Sequence, residues 1–475
     1  MSDNRKAIND YIYGLEYDSN SILALIGDTV TNKDMTEGIP DGDLYYVVER
    51  KKCTVEDSFD VSVPTLNKSI TYPGALLIAD QGLIDGNPNT VGVKRGGVKL
   101  TLDLPGMTQN NSADIACADY ASVSAAVNGI LDDWYTNYPQ YTSVPAVMAF
   151  TSSMVYDEKE MQLKFGVDVS FLENEIGIDF NAIKNKKKSV YIVRYKQVFY
   201  TASVDSIKEP ADAFSDDTTV NQLVNAGIGT EKPLVYIGAV AYGREIYVKF
   251  ESDLQSYELE SAVSGSVTAD GINVDANIDS KIKEKYDKIS CSVIAFGGAS
   301  EHMKFMFTEK DKVEAFNKVI CEGITLSREN PACPITYKSV FLKDNKTAQL
   351  HGSTEYVDEL VSVYDKGELT INHKGGYVAR FYITWKQIKE FDQDGNAVMI
   401  DQSWDDNGKD KTIGFQTVIP FGGDVRSINI MAEGYTGLVW DKWFTSFDRN
   451  NIPLSPEMSL VVSGTTLNQK AEFKP

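Results

Sequence analysis

The residues able to move protons or hold metals are few and scattered. Three histidines, His302, His351 and His373, serve the whole 475-residue chain, and none lies in an HExxH pair that would bind zinc. There is no GxxxxGK[ST] loop to cradle phosphates, no GxGxxG turn for a dinucleotide and no GxSxG nucleophile elbow. Five cysteines, Cys53, Cys117, Cys291, Cys321 and Cys333, form no CxxC pair and are too dispersed for a disulfide framework, so they read as buried small hydrophobes. The run Asp392-Gln393-Asp394-Gly395-Asn396 offers oxygen ligands like those opening a calcium loop. Its twelfth position, however, falls on Ser403, where a bidentate Glu is required. Between Ile388 and the apolar residues 398–400 it reads as a hairpin turn. No acid–base, nucleophilic or metal constellation is assembled, so the expectation is no enzyme, no cofactor and no metal.

Charge narrows the partners. Lys and Arg number 46 against 68 Asp and Glu, a formal charge of −22. Phosphate binding needs a basic footprint, so nucleic acid is not expected. Adsorption onto anionic lipid is disfavoured for the same reason, and any membrane contact has to come from specific recognition. No apolar run is long enough for a transmembrane helix. The opening MSDNRKAINDYIYGLEYD lacks the apolar core of a secretory signal, so the chain reads as a mature form with a start Met or as one exported by another route.

Strand-like runs at 44–48, 98–102, 190–194, 235–237, 246–250, 293–296, 377–385 and 459–463 would position any site. Helical spacing is clearest at 118–135 and 310–321. The last hundred or so residues, with short strands between Gly, Asn and Asp, suggest a β-sandwich. Two stretches stand apart. In the first, Met161, Leu163, Phe165, Val167, Val169 and Phe171 alternate with polar residues or Gly; after a polar corner, Ile176, Ile178, Phe180 and Ala182 continue the alternation. In the second, Val263, Gly265, Val267 and Ala269 lead to a turn at Asp270-Gly271, and Ile272, Val274, Ala276 and Ile278 return. A strand crossing a bilayer in a barrel has this pattern over about nine to eleven residues. So does any half-buried strand of a soluble antiparallel sheet. Two hairpins cannot close a barrel, so a pore would need many copies in a ring.

The carboxyl end is more specific. Gly434-Tyr435-Thr436-Gly437-Leu438-Val439-Trp440-Asp441-Lys442-Trp443-Phe444 resembles the Trp-rich loop of the cholesterol-dependent cytolysins, written ECTGLAWEWWR in family members. Gly464-Thr465-Thr466-Leu467 resembles the segment whose Thr-Leu pair recognises sterol. Further matching blocks run in order along nearly the whole chain, among them Tyr72-Pro73-Gly74-Ala75-Leu76, Leu102-Asp103-Leu104-Pro105-Gly106, Ala241-Tyr242-Gly243-Arg244 and Thr417-Val418-Ile419-Pro420.

The resemblance implies an α+β fold: an elongated, multi-domain pore-forming toxin with a twisted central antiparallel sheet flanked by helical clusters and a C-terminal β-sandwich. It implies a discontinuous body domain 1 (1–22, 59–147, 198–243 and 326–349) and a linker-sheet domain 2 (23–58 and 350–366). Domain 3, the pore-forming domain (148–197 and 244–325), would hold membrane hairpin segments at about 159–186 and 258–284. Domain 4, at 367–475, would recognise the membrane. The implied activity is binding of cholesterol-containing membranes, assembly with copies of itself into a ring and insertion of a large β-barrel by a protein secreted as a soluble monomer. Two alternatives are a relative that finds a protein or glycan receptor with altered tip loops, and a non-lytic membrane-binding homologue. By the same resemblance, Thr466 and Leu467 recognise sterol, and Thr436, Gly437, Leu438, Trp440 and Trp443 form the Trp-rich tip. Gly375, Gly376, Gly422 and Gly423 form the other tip loops, Gly243, Gly297 and Gly298 act as hinge, and Phe150 contacts the next monomer.

Departures from the family pattern are concentrated at coupling positions. Tyr435 replaces the usual Cys, so thiol activation is expected to be absent. Lys442 replaces a tryptophan and Phe444 the closing Arg that couples binding to conversion. Ser152 stands where an acid often follows Phe150, and Cys291 stands in place of the aromatic stacking partner.

Overall fold

Two long strands organise the larger of the chain's two units. Ser189–Val204 and Leu234–Ser252 are dense in Val, Ile, Tyr and Phe, side chains that suit an extended, packed backbone. They pair antiparallel from Ser189 opposite Ser252 to Ser203 opposite Ala239, with a bulge between Val198 and Tyr200. The computed structural model describes residues 3–26, 34–59, 69–167, 169–273, 284–298, 303–440 and 442–475. Within it the chain divides into residues 1–30 with 53–356, and 31–52 with 357–475. The division falls inside two strands, Leu44–Phe59 and Leu350–Asp365.

In the larger unit the two long strands lie at the centre of a ten-stranded sheet. Val147–Met154 pairs with one end of Ser189–Val204, and Ser290–Phe296 pairs with the matching end of Leu234–Ser252, itself followed by Met303–Met306. Side chains alternate between two cores. Tyr191, Val193, Tyr195, Ile246, Val248 and Phe250 enter one; Val190, Ile192 and Tyr247 enter the other. The sheet is thus covered on both faces, which is why its strands read as nearly continuous apolar runs. One face packs the helices Ser256–Val263 and Lys310–Glu322 through Leu259, Ala262, Val313 and Phe316. The other face packs three short helices, Glu158–Phe165, Val169–Asn174 and Phe180–Lys184. The helix read at 118–135 spans Tyr120–Asn137, with Asp119 accepting from the Ser122 amide as its N-cap.

In the smaller unit, residues 367–475 form the expected sandwich of two four-stranded sheets. One runs Gln416–Phe421, Gly367–His373, Glu457–Thr465, Asn468–Lys474; the other runs Ala397–Ser403, Ala379–Phe391, Val425–Tyr435, Trp443–Ile452. Leu369, Ile371, Phe381, Ile383, Ile430 and Leu460 interlock between them. Asp392 forms the hairpin turn read there, its side chain accepting from the amides of Asp394 and Asn396. The cysteines only partly match expectation: Cys291 and Cys333 are buried, but Cys321 is exposed on its helix.

Candidate functional site

The stretch that alternates at period two is helical in this structure, as the family resemblance implies for the clusters flanking the sheet and unlike the strand that periodicity alone suggests. A helix turns 100° per residue, so residues two apart project to opposite sides. Over residues 161–167 the segment resolves the conflict by being buried or half-buried at every position, whereas Ser170, Glu173, Asn174, Glu175, Gly177, Asp179 and Asn181 are exposed between the buried apolar residues that follow. Met161, Leu163, Phe165, Val167, Phe171, Ile176, Ile178 and Phe180 are buried and Val169 is half-buried; Glu160 and Gln162 are buried with them. Polar groups enclosed this way need partners. Lys164 stands 2.6 Å from Glu160 and 4.3 Å over the Tyr356 ring, and Gln162 Nε2 donates to the Ile84 carbonyl at 3.3 Å. Arg194 donates to the Phe165 carbonyl, and Lys249 Nζ to that of Gly177 at 2.6 Å. Asp157 and Asp179 cap the first and last short helices, and Gly166 ends the first in the left-handed region at φ 63°.

The second stretch begins as the helix Ser256–Val263 and continues as a small hairpin, Val267–Thr268 with Gly271–Ile272. Thr268 pairs with Gly271, so the turn is Ala269-Asp270, one residue earlier than read from the sequence. The reason is tertiary. Asn317 accepts from the Ile272 amide at 2.8 Å and donates to its carbonyl at 2.7 Å, and a Cβ on residue 271 would stand 2.3 Å from the Asn317 oxygen. Val263, Val267 and Ile272 are buried and Ala269 is exposed. Val274, Ala276 and Ile278 lie outside the described residues.

Gly243, Gly297 and Gly298 come together where the central sheet bulges. A Cβ on Gly243 would stand 1.9 Å from the Gln197 carbonyl oxygen, and one on Gly297 would stand 2.6 Å from the Gly243 carbonyl oxygen. Gly297 and Gly298 leave the strand Ser290–Phe296 with φ of 82° and 67°, in a bend after the strand rather than within it. Phe150, on Val147–Met154, packs against Tyr195 at 5.4 Å between ring centroids, and Cys291 is buried in the same core.

At one end of the sandwich three segments meet. Gly376 donates to the Gly464 carbonyl at 2.9 Å, and Gln469 Nε2 reaches the carbonyls of Thr466 and Tyr435 at 3.2 and 3.5 Å. This joins Gly375-Gly376, the Trp-rich loop and the Thr466-Leu467 pair. Large apolar side chains stand free there: Trp440 is 84% exposed, Val439 82% and Leu467 76%. Ile413, 63% exposed on the segment that pairs Lys411 with Ala379, belongs to the same end and was missed in the sequence. Its signal was an isolated apolar residue in the polar run Lys409-Asp410-Lys411-Thr412 before Gly414. Thr436 and Gly375 are buried, Leu438, Trp443 and Thr466 half-buried, and Gly376 and Gly437 exposed. Trp443 is not a free tip residue, because the Arg380 guanidinium lies 3.8 Å over its ring, itself 2.7 Å from Asp410, and Tyr435 meets it edge-on. Gly422 and Gly423 are at the opposite end. Phe421 pairs with Gly367, and a Cβ on Gly423 would stand 2.5 Å from the Tyr364 carbonyl oxygen, so these two glycines are not a tip loop.

His373 lies beneath the Gly375-Gly376 loop. Its Nε2 bonds the Tyr377 carbonyl at 2.7 Å and its Nδ1 accepts from the Gly375 amide at 3.3 Å, and burial holds its pKa below 6.5. Among the described residues no cluster of metal ligands occurs.

The family model for thiol-activated cytolysin matches residues 7–364, and that for its beta sandwich domain matches 368–470. The chain belongs to the thiol-activated, or cholesterol-dependent, cytolysins. It is 36% identical to pneumolysin of Streptococcus pneumoniae over 471 residues, covering 99% of this chain and 98% of that one. The solved structure of a toxin from a Gram-negative source superposes with a TM-score of 0.82 at 39% identity over the whole of both chains. Intermedilysin, solved as a disulfide-locked mutant with human CD59, superposes with a TM-score of 0.81 at 32% identity over 99% of this chain and 98% of that one. This cytolysin is therefore a member of a pore-forming toxin family and not of an enzyme family.

Proposed function

We propose that this cytolysin binds cholesterol-containing membranes through the sandwich tip, assembles with copies of itself into a ring and converts residues 159–186 and 258–284 into membrane-crossing hairpins. One observation carries this reading: a segment patterned as a strand is held as short helices with its apolar side chains buried in the core beside the central sheet. Helices of eight, six and five residues are too short to persist on propensity alone, so packing and capping hold them. Once the packing is released, extension places Met161, Leu163, Phe165, Val167, Val169 and Phe171 on one face for lipid, and Gln162 and Lys164 on the other for water. Open strand edges are untenable in lipid, which is why a closed ring of copies is required.

Trp440 and Val439 suit shallow insertion, since an indole pairs an apolar ring with a polar N–H. Thr466 supplies a hydroxyl for the sterol 3-OH and Leu467 an exposed apolar contact. In this reading the protein is secreted as a soluble monomer and acts at the target membrane. Flotation with cholesterol-containing and cholesterol-free liposomes tests it: binding is expected with sterol only, and the double change Thr466→Gly, Leu467→Gly is expected to remove it. Equal binding to both liposomes would overturn sterol recognition in favour of other lipids, and binding to neither would overturn it in favour of a protein or glycan receptor.

A further inference from the structure

The larger unit contains a cleft that neither membrane binding nor conversion uses. One face of the helix Tyr120–Asn137 lines it with Tyr120, Ser124, Asn128, Asp132 and Tyr135, a stripe at three- and four-residue spacing. Another wall comes from the two central strands, where Tyr200 and Tyr242 stack across the bulge with ring centroids 5.0 Å apart and planes 6° from parallel. Tyr72 meets Tyr120 edge-on at 5.8 Å. The cavity measures about 570 Å3, within the range of small-ligand sites.

Its polar groups are unusually idle. Among the described residues, the hydroxyls of Tyr120, Tyr135, Tyr200 and Tyr242 and the side-chain amide of Asn128 have no hydrogen-bond partner. Tyr200 is only 4% exposed, and burial raises both its pKa and that of Tyr242, so each hydroxyl stays protonated as a donor. Tyr120 and Asn128 are exposed and Tyr135 and Tyr242 half-buried, so these groups are open to the cleft, and a ligand that displaces solvent there has to meet them with hydrogen bonds of its own. Charge is balanced. Asp132 and Arg328, the charged residues lining the cleft, stand 2.9 Å apart, with the guanidinium 4.8 Å over the Tyr135 ring.

We propose that this cleft binds a neutral saccharide of two or three rings. A pyranose presents an apolar C–H face to tyrosine rings and hydroxyls around its edge, which matches stacked aromatics rimmed by unpaired donors and acceptors. A flat aromatic ligand would leave those groups unmet. An ionic ligand would find no net charge to hold it.

Calorimetric titration of the soluble protein, without membranes, with maltose, cellobiose, lactose and N,N′-diacetylchitobiose tests the proposal. At least one is expected to saturate. Asn128→Ala and Tyr120→Ala, both at exposed positions whose fold circular dichroism can check, are expected to weaken binding at least tenfold, while Trp440→Ala leaves it unchanged. Failure of all four sugars to saturate overturns the proposal. So does affinity that survives both cleft variants, or affinity lost in the Trp440 variant, which would move the site to the sandwich tip. Sterol-dependent liposome binding is read separately, so the two proposals fail independently.

Discussion

The two helical clusters that sandwich the central sheet are held by different chemistry. The first, residues 158–184, is clasped by cations: Lys164 on Glu160, Arg194 on the Phe165 carbonyl, Lys249 on the Gly177 carbonyl and Lys184 on Glu158. The second, built on Ser256–Val263 and the hairpin to Ile272, has the ion pair Glu258–Lys285, but neutral side chains anchor its hairpin. Asn317 holds Ile272, Tyr195 donates to the Thr268 carbonyl at 3.0 Å, and Ser266 meets Tyr286 at 3.3 Å. The difference follows from the alternating residues. The first segment carries Gln162 and Lys164 between its apolar positions, met by the Ile84 carbonyl and by Glu160 of the same helix, while Arg194 and Lys249 of the sheet bond the segment's own carbonyls. The second carries Ser264, Ser266 and Thr268, which demand less. A segment built for two environments thus brings ion pairs of its own into the stored form, and the frame adds cations at backbone carbonyls that the short helices leave open.

The largest effect is expected from locking the first cluster in place. Leu163 Cγ lies 3.3 Å from where a Cβ on residue 352 would stand, so Leu163→Cys with Gly352→Cys brings a sulfur at 163 close to residue 352, and the pair is the one to test for a disulfide. Dye release should vanish in the oxidised form and return on reduction, with ring assembly visible by electron microscopy in both. Leakage from the oxidised form would show that the first cluster need not open. Next, Lys164→Met removes the cation beside buried Glu160 and should cost on the order of 3 kcal/mol in thermal or urea unfolding. Asn317→Leu strips two backbone bonds from the second cluster, and a loss of about 1–3 kcal/mol is expected. Its cost should hold constant between low and high salt, whereas the cost of the Lys164 variant should shrink; equal salt responses would erase the contrast between the clusters. The smallest effect lies outside both clusters. His373 has a lowered pKa in the fold, so its contribution is full above about 6.5 and is lost as pH falls below that value. The melting temperature should drop from pH 7.5 to 5.5 in the parent, and less steeply in His373→Gln.

The sandwich was legible because its strands each bury one face: the alternation at 377–385 overlaps Ala379–Phe391 from its start, and that at 459–463 lies within Glu457–Thr465. The helices Tyr120–Asn137 and Lys310–Glu322 were legible from one-sided spacing. Residues 158–184 were legible as a helical cluster only through the family resemblance, since their period-two alternation on its own reports the extended form. The tip was read from the resemblance of 434–444 and 464–467 to the family's loops, not from its residue types, and Trp440 and Leu467 stand exposed there. Trp443 and Gly423 were misjudged because Arg380 and Tyr364, which decide their surroundings, are distant in sequence. The hairpin turn shifted by one residue for the same reason, Asn317 lying 45 residues from Ile272.

The clasp of Arg380 on Trp443 leaves the protein with a built-in optical gauge. Trp134 is buried, Trp385 and Trp404 pack against Phe421 and Phe415, and Trp443 is covered, so Trp440 alone of the five indoles faces open solvent. A blue shift in intrinsic emission on adding vesicles therefore timestamps the arrival of one side chain at the lipid, with no dye attached.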